Sequence, residues 1–420
     1  MQVNRRMAKA LKAWAMIAGG MTAATPLLVF TPAFAADPVK VDVSGKASVA
    51  AGLVDGEAKA DADAEIKVRG STVFANGVEL GAVVEGRFDK QQPNQLFGGG
   101  RYSSLLIGGP RGVGPLTSDA YLQGAYGYVR GSFGQLIVGR DHGVARTFAV
   151  TAPTIFQSVN VNDWRTDLSG LNDVHTVNDF SGYSTKISYL PPANFLGGVL
   201  GGLQLGVSYS PAAAHCGEDL CAPEDRLFLT PSGALLTETS RWDDVVEAAA
   251  YYQKEVKLGG ARNGLLFGVG ASYVSANEDA RVSSAVFDDY RAYSLGMNLG
   301  YRGLTLGGSV KSTNSGLAEV DDQGYLAFDA GITFRTGEDK GDWGVMLGYG
   351  QAEANVAAPP NPAAPLVFRD TKTTQAGVTY FVGRGITVGA AAQYVESEKP
   401  PAAGGPEDAA TVVIESSIRF

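Results

Sequence analysis

The chain has 420 residues, 34 Lys+Arg against 43 Asp+Glu, and 45% hydrophobic residues. That acidic balance excludes nucleic acid as a partner, since binding it needs a basic face. Beyond the N-terminal segment no stretch reaches the ~18 consecutive apolar residues of a membrane helix, a test that strands with one wet face would escape.

Residues 1–35 read as an export signal. Arg5, Arg6, Lys9 and Lys12 form a positive start, 13–30 is mostly apolar, and Ala33-Phe34-Ala35 supplies the small-x-small pattern for cleavage after Ala35. The Arg5-Arg6 pair resembles a twin-arginine signal, but the residues after it fit ordinary secretion better. Removing four cations leaves 30 Lys+Arg against 43 Asp+Glu, a net charge near −13 for a single mature domain, 36–420.

From Val39 onward the period is two. Val41, Val43, Gly45, Ala47, Val49, Ala51 and Leu53 alternate with Lys40, Asp42, Ser44, Lys46 and Ser48. After a short acidic loop, Ala64, Ile66, Val68, Gly70, Thr72 and Phe74 alternate with Asp63, Glu65, Lys67, Arg69 and Ser71. Asn76-Gly77 is a two-residue hairpin signal. Val78, Leu80, Ala82, Val84, Gly86 and Phe88 then alternate with Glu79, Glu85, Arg87 and Asp89. One apolar face and one charged face on successive strands is the pattern of a half-buried sheet.

Strands are predicted over 40–53, 62–75, 78–89, 119–130, 135–141, 181–190, 203–210 and 245–256. The second half gives 265–274, 291–301, 303–311, 325–335, 343–350, 371–382, 386–394 and 411–420. An even count of about sixteen suits an antiparallel transmembrane β-barrel. Connections after even strands are short (76–77, 131–134, 302–303, 382–385); those after odd strands are long (89–118, 141–180, 211–244, 351–370). Short periplasmic turns on one rim and long outer loops on the other follow from an up-and-down barrel. Tyr293 and Tyr301 share one face, about 20 Å apart along the membrane normal at ~3.3 Å per residue and a ~40° tilt, as interfacial girdles require.

The sixteen-strand layout, the hairpin GAYGYVRGSFGQLIVGR at 124–140, the long third outer loop and the final strand TVVIESSIRF ending on Phe420 resemble the trimeric general porins of Gram-negative outer membranes. The resemblance covers nearly all of 36–420. It implies a homotrimer in outer-membrane lipid and lipopolysaccharide, and passive diffusion of small hydrophilic solutes and ions. Phe420 is then the signal read by the barrel-assembly machinery. It also implies a third loop folded inside the barrel, with Asp163, Asp167 and Asp173 on the acidic side of a constriction and Lys46, Arg69, Arg87 and Arg140 on the basic wall. Glu65 and Glu85 share that wall, so it is not purely basic. For the trimer, the small outward residues of the first strand suit packing between barrels, and the loop 89–118 is positioned to latch onto a neighbour.

Cys216 and Cys221, in HCGEDLC within the fourth outer loop, are expected to pair in an oxidising compartment; His215 beside them keeps a metal reading open. No cofactor is expected, although Glu218, Asp219, Glu224 and Asp225 are oxygen ligands of the kind Ca²⁺ takes. His142, His175 and His215 fall in loops and no hydrolase or nucleotide-binding motif occurs, so the chain is read as no enzyme. The alternatives are a solute-specific channel and a non-conducting adhesive or structural barrel.

Overall fold

A computed structural model of the protein describes residues 37–90, 118–162, 167–192, 202–213, 225–229, 235–239, 242–257, 264–278, 288–316, 324–357, 366–398 and 405–420. The predicted leader, the latch loop, Asp163 and the Cys216–Cys221 pair lie outside these residues.

The strands in chain order are β1 (Lys40–Val54), β2 (Glu57–Val73), β3 (Glu79–Lys90), β4 (Ser118–Gly131), β5 (Gly134–Arg140), β6 (Thr185–Leu190), β7 (Leu203–Ala212), β8 (Asp225–Leu229) and β9 (Leu235–Thr239). They continue with β10 (Trp242–Val256), β11 (Leu265–Glu278), β12 (Tyr290–Tyr301), β13 (Leu304–Thr313), β14 (Tyr325–Arg335), β15 (Trp343–Ala357), β16 (Leu366–Gly383), β17 (Ile386–Glu398) and β18 (Glu407–Arg419). All but β8 and β9 form one closed antiparallel barrel, each strand beside its sequence neighbours, with β7 meeting β10. The seam pairs β1 with β18 from Lys46↔Arg419 to Val54↔Thr411. Closure leaves no unpaired sheet edge, which a strand-built membrane protein requires because hydrocarbon offers no hydrogen bonds.

Alternation sorts the side chains as the sequence implies. Val41, Leu295, Met297, Leu347 and Ile414 are outward and more than half exposed. A belt of large exposed apolar groups running round a closed barrel is a lipid-facing surface. Outward aromatics flank it: Trp343 pairs with Tyr380 near the turn rim, and Tyr273 with Tyr293 near the other.

Three local readings need correction. The acidic stretch after the first strand is not a loop, because β2 begins at Glu57 and Glu57, Lys59, Asp61 and Asp63 take the inward phase opposite β1. The connection is the two-residue turn Asp55-Gly56, both at positive φ (50° and 88°), so one outer connection is as short as the turns. Asn76-Gly77 lies in a longer turn closed by Phe74 N–H donating to Val78 O and Gly77 N–H donating to Phe74 O, with only Gly77 left-handed. Lastly, β8 and β9 make a separate hairpin within the fourth outer loop, where the sequence was read as loop throughout.

The interior is not one hydrophobic core. The described parts of the third outer loop (141–162 and 167–184), including the single-turn helix α1 (Val144–Thr147), lie inside the barrel. They pack Ile155, Phe156, Val159, Leu168 and Leu171 with Met346, Ala391 and Val395 of the wall, and Val174 and Phe180 with Trp242, Tyr290 and Tyr325.

Candidate functional site: the pore constriction

Loop 3 holds its course because the wall supplies what its backbone lacks. Irregular backbone cannot satisfy its own N–H and C=O groups, so burial requires partners. Glu415 accepts from the backbone N–H groups of Gln157 (2.8 Å), Ser158 (2.8 Å) and Val159 (3.0 Å) and from the Ser158 hydroxyl (2.6 Å). Asp329 accepts from Ala152 N–H (3.1 Å), the Thr176 hydroxyl (3.1 Å) and the Ser309 hydroxyl (2.7 Å). Glu247 accepts from Ala145 N–H (3.1 Å) and the Ser181 hydroxyl. Lys311 donates to Val177 O (2.8 Å), and Lys186 to Asp141 O and Gly182 O. The loop thus crosses the inner wall as far as β18 and returns.

Glycine makes the contact possible. A Cβ on Gly296 would lie 1.8 Å from the Val150 carbonyl oxygen, and one on Gly270 2.3 Å from that of Phe148. Both glycines face inward, opposite each other on β12 and β11, so the wall is recessed where the loop backbone lies.

The other side of the lumen is different. The inward faces of β1 to β4 carry a dense charge ladder, interlocked by cross-strand register. Lys46 pairs with Glu65 (3.1 Å), Arg87 with Asp63 (2.8 Å), and Lys67 with Glu85. Nearer the turn rim, Arg69 lies 3.8 Å from Asp42 and 3.6 Å from Glu79, which also binds Arg130. Lys46, Lys67 and Arg69 keep about 40% of their side-chain surface exposed although they point into the barrel.

Where loop 3 meets this wall, Glu85 accepts from the hydroxyls of Tyr183 (3.0 Å) and Tyr126 (3.5 Å). Asp141 lies beside it: burial and then the Glu85 charge push its carboxyl up to about 6. Burial also raises the Tyr183 phenol, so it stays a donor. Asp179 binds Arg146 (3.0 Å) and His142 (3.2 Å), whose ring lies 4.1 Å from that of Tyr183. A barrel interior with an inserted loop on one side and hydrated charges on the other can pass water and small solutes, and its charge pattern acts on whatever passes.

A family model for Gram-negative porins matches residues 20–400. The chain belongs to that family. This porin is therefore an outer-membrane β-barrel that lets small hydrophilic solutes and ions diffuse through a water-filled pore. Its fold is similar to Salmonella typhi OmpF in complex with daunomycin (15% identity, TM-score 0.52, covering 91% of this chain and 98% of that one). It is also similar to the anion-selective porin of Comamonas acidovorans (14% identity, TM-score 0.51, 91% and 100%) and the Acinetobacter baumannii channel DcaP (11% identity, TM-score 0.54, 91% and 97%). No curated protein sequence matches the chain significantly.

The residues expected at the constriction fall in different places. Lys46, Arg69 and Arg87 are on the inward face, each beside a carboxylate. Arg140 is not on the lumen wall: its register, opposite Ala125 and Thr185, is outward, its side chain is exposed, and it donates to Tyr183 O (3.3 Å). The inward position beside it belongs to Lys186, which pairs with Gly139 in the ladder. Asp173 is buried against the wall, its carboxylate accepting from the Thr371 hydroxyl (3.5 Å) and its carbonyl from the Tyr325 hydroxyl (2.5 Å). Asp167 accepts from Ser169 and Asn172 of its own loop (2.7–3.0 Å). The clamps Glu247, Lys311, Asp329 and Glu415 were missed by sequence reasoning. A signal was available for Lys311, the one charge in an inward phase of Thr305, Gly307, Ser309 and Thr313, but not for the others, whose strands also carry Val245, Tyr325 or Val413 on that face. Among the described residues, no cluster of three or more His, Cys, Asp or Glu is arranged to hold a metal.

Proposed function

We propose that the conducting path runs between loop 3 and the inner face of β1 to β4, and that it sorts solutes by size and charge rather than through a dedicated binding site. The supporting observation is the asymmetry of exposure on the inner wall. Lys46 and Lys67 remain about 40% exposed, whereas Lys311, Thr373 and Gln375 are buried beneath the loop. A thiol placed at Lys46 or Lys67 is expected to react with a hydrophilic reagent added to planar-bilayer channels and to lower their ohmic conductance, while one at Thr373 stays unreactive. Equal reactivity at the three positions counts against the path.

The reading needs no cofactor and no catalysis. His142 is engaged by Asp179, and His175 lies in the loop segment packed on Tyr325, whose hydroxyl accepts from its backbone N–H (2.9 Å). Phe420 supports an assembly role through its place at the seam. Its N–H donates to Gly45 O and its carbonyl accepts from Gly45 N–H, both at 3.0 Å.

We further infer that the β4–β6 sector packs against other copies of the chain in a trimer. The strands β5 and β6 are 7 and 6 residues long. At ~3.3 Å per residue and a ~40° tilt, even the longer covers about 18 Å of the ~25 Å apolar band. Arg140 ends its outward face. A sector whose strands are too short to span that band is suited to protein. Cysteines at Val138 and Ile187, both about half exposed, are expected to cross-link between subunits; a detergent-extracted monomer refutes the trimer.

A further inference from the structure

We propose that the periplasmic end of β1 is a docking ridge for a second copy of this chain: Val41 and Val43 of one subunit seat in a shallow trough on the outward face of β2 to β4 of the next. This rests on the trimer inferred above and names the surfaces that meet in it.

The ridge exists because the seam closes short. Phe420, the last residue after β18, pairs with Gly45, whereas β1 begins at Lys40. With strands ~4.8 Å apart and tilted by ~40°, a level line shifts by about one residue from strand to strand. Lys40 to Val43 therefore extend roughly 10 Å past the end of β18 on the turn rim. They pair with β2 on one side, from Lys40↔Ser71 to Val43↔Val68, and among the described residues no strand lies on the other. Edges of this kind are templates for another chain, and proteins usually blunt them with charge. Here the outward side chains are Val39, Val41 and Val43, 67%, 66% and 53% exposed. Large apolar groups past the end of a spanning strand face water unless another protein covers them.

The trough lies in the same register row as the ridge. Val41 pairs with Gly70, Gly70 with Ala82, Ala82 with Gly127, Gly127 with Val138 and Val138 with Ile187, all in the outward phase. Val41 on one side and Val138 with Ile187 on the other thus flank a floor of Gly, Ala and Gly. Glycine weakens a strand interior, and it marks places where the backbone bends or another group approaches closely. The fold of a single chain requires neither here. Both glycines lack positive φ; a Cβ on Gly70 would meet nothing within 4 Å, and one on Gly127 would only touch the Gly81 carbonyl oxygen at 3.7 Å. Gly296 and Gly270, by contrast, are recessed for loop 3. The trough is therefore open to the outside, and it continues into the β5 and β6 face already placed between subunits. A ridge beside a trough makes a head-to-tail contact, the kind that closes into a ring when the rotation fits.

Paired substitutions Val41→Cys and Ala82→Cys test the contact. Within one chain the two positions lie two strands apart, ~10 Å between Cα atoms, beyond the ~7 Å reach of a disulfide. Any bond between them therefore joins different copies. The purified full-length double variant, oxidised with copper phenanthroline, is expected to give covalent dimers and trimers on boiled non-reducing gels. Neither single variant is expected to do so, nor the wild type with its native Cys216 and Cys221. Gly70→Leu fills the trough where a Cβ meets nothing. Its barrel should stay heat-modifiable while the trimer band is lost at a lower temperature than in the wild type; if that variant does not fold, the cysteine pair still decides. Cross-linking at Val138 and Ile187 without cross-linking at Val41 and Ala82 overturns the ridge and trough while leaving the trimer in place, as does a Gly70→Leu trimer as heat-stable as the wild type. A protein that stays monomeric in mild detergent refutes the trimer itself, and this contact with it.

Discussion

Removing the Glu415 carboxylate should release the far end of loop 3. Its two oxygens accept four hydrogen bonds from Gln157, Ser158 and Val159, where the loop reaches β18. Glu415→Ala leaves the N–H groups of Ser158 and Val159 without that acceptor, and both residues are buried (5% and 4% exposed). A buried donor stranded in this way costs about 1–3 kcal/mol, so two of them cost about 2–6 kcal/mol against docking. At 1.36 kcal/mol per factor of ten, the undocked population rises from about thirtyfold to above ten-thousandfold. Glu415→Gln keeps one carbonyl oxygen on the Ser158 and Val159 side but turns an amide donor toward Gln157 N–H, and should fall between the two. Single-channel recording in planar bilayers is the assay. The alanine variant is expected to show larger conductance and open-channel noise, in the order Ala > Gln > wild type. An alanine variant with wild-type conductance and noise, in a barrel shown to be folded, would refute the account of how the loop is held.

Three further outcomes follow from the same geometry. Asp141, raised to about 6 by burial and then by Glu85, binds more protons in the folded state than in the unfolded one between about pH 4 and 6. Its contribution to stability therefore falls as pH rises through that window, and its charge at the loop root appears above it. Cation preference should rise from pH 5 to pH 7, and Asp141→Asn should flatten that dependence in reversal-potential measurements. Gly296→Val places atoms where the Val150 carbonyl lies (1.8 Å to a Cβ); overpacking of this kind costs typically 1–3 kcal/mol. A lowered unfolding midpoint and altered conductance are expected, and unchanged values in both would count against the recess. Gly45→Leu intrudes on the Phe420 ring (2.7 Å) and on the Glu65 carbonyl oxygen (2.8 Å) at the seam. It should reduce the heat-modifiable folded fraction on gels about as much as Phe420→Ala, and a normal folded fraction argues against the seat.

The barrel was legible in the sequence because lipid and water impose a period of two on every spanning strand, and closure imposes an even count. Alternation alone assigned the inward phase of Lys46, Lys67 and Arg87 and the outward phase of Tyr293 and Tyr301. It failed where turn conformation decides. Asp55 and Gly56 compress a predicted loop into a hairpin; Arg140, by contrast, shares the outward phase of Leu136 and Val138, which alternation in β5 already carried. The constriction was less legible still. Asp167 and Asp173 were chosen for being acidic and in the right loop, yet an irregular segment has no periodicity to say which side chains face water. Only the tertiary structure brings Glu415 to Ser158 and Asp329 to Thr176, across sequence separations of 257 and 153 residues. Strand phase is a local property of the chain, whereas ion pairing and loop clamping depend on which strands and loop residues meet across the lumen.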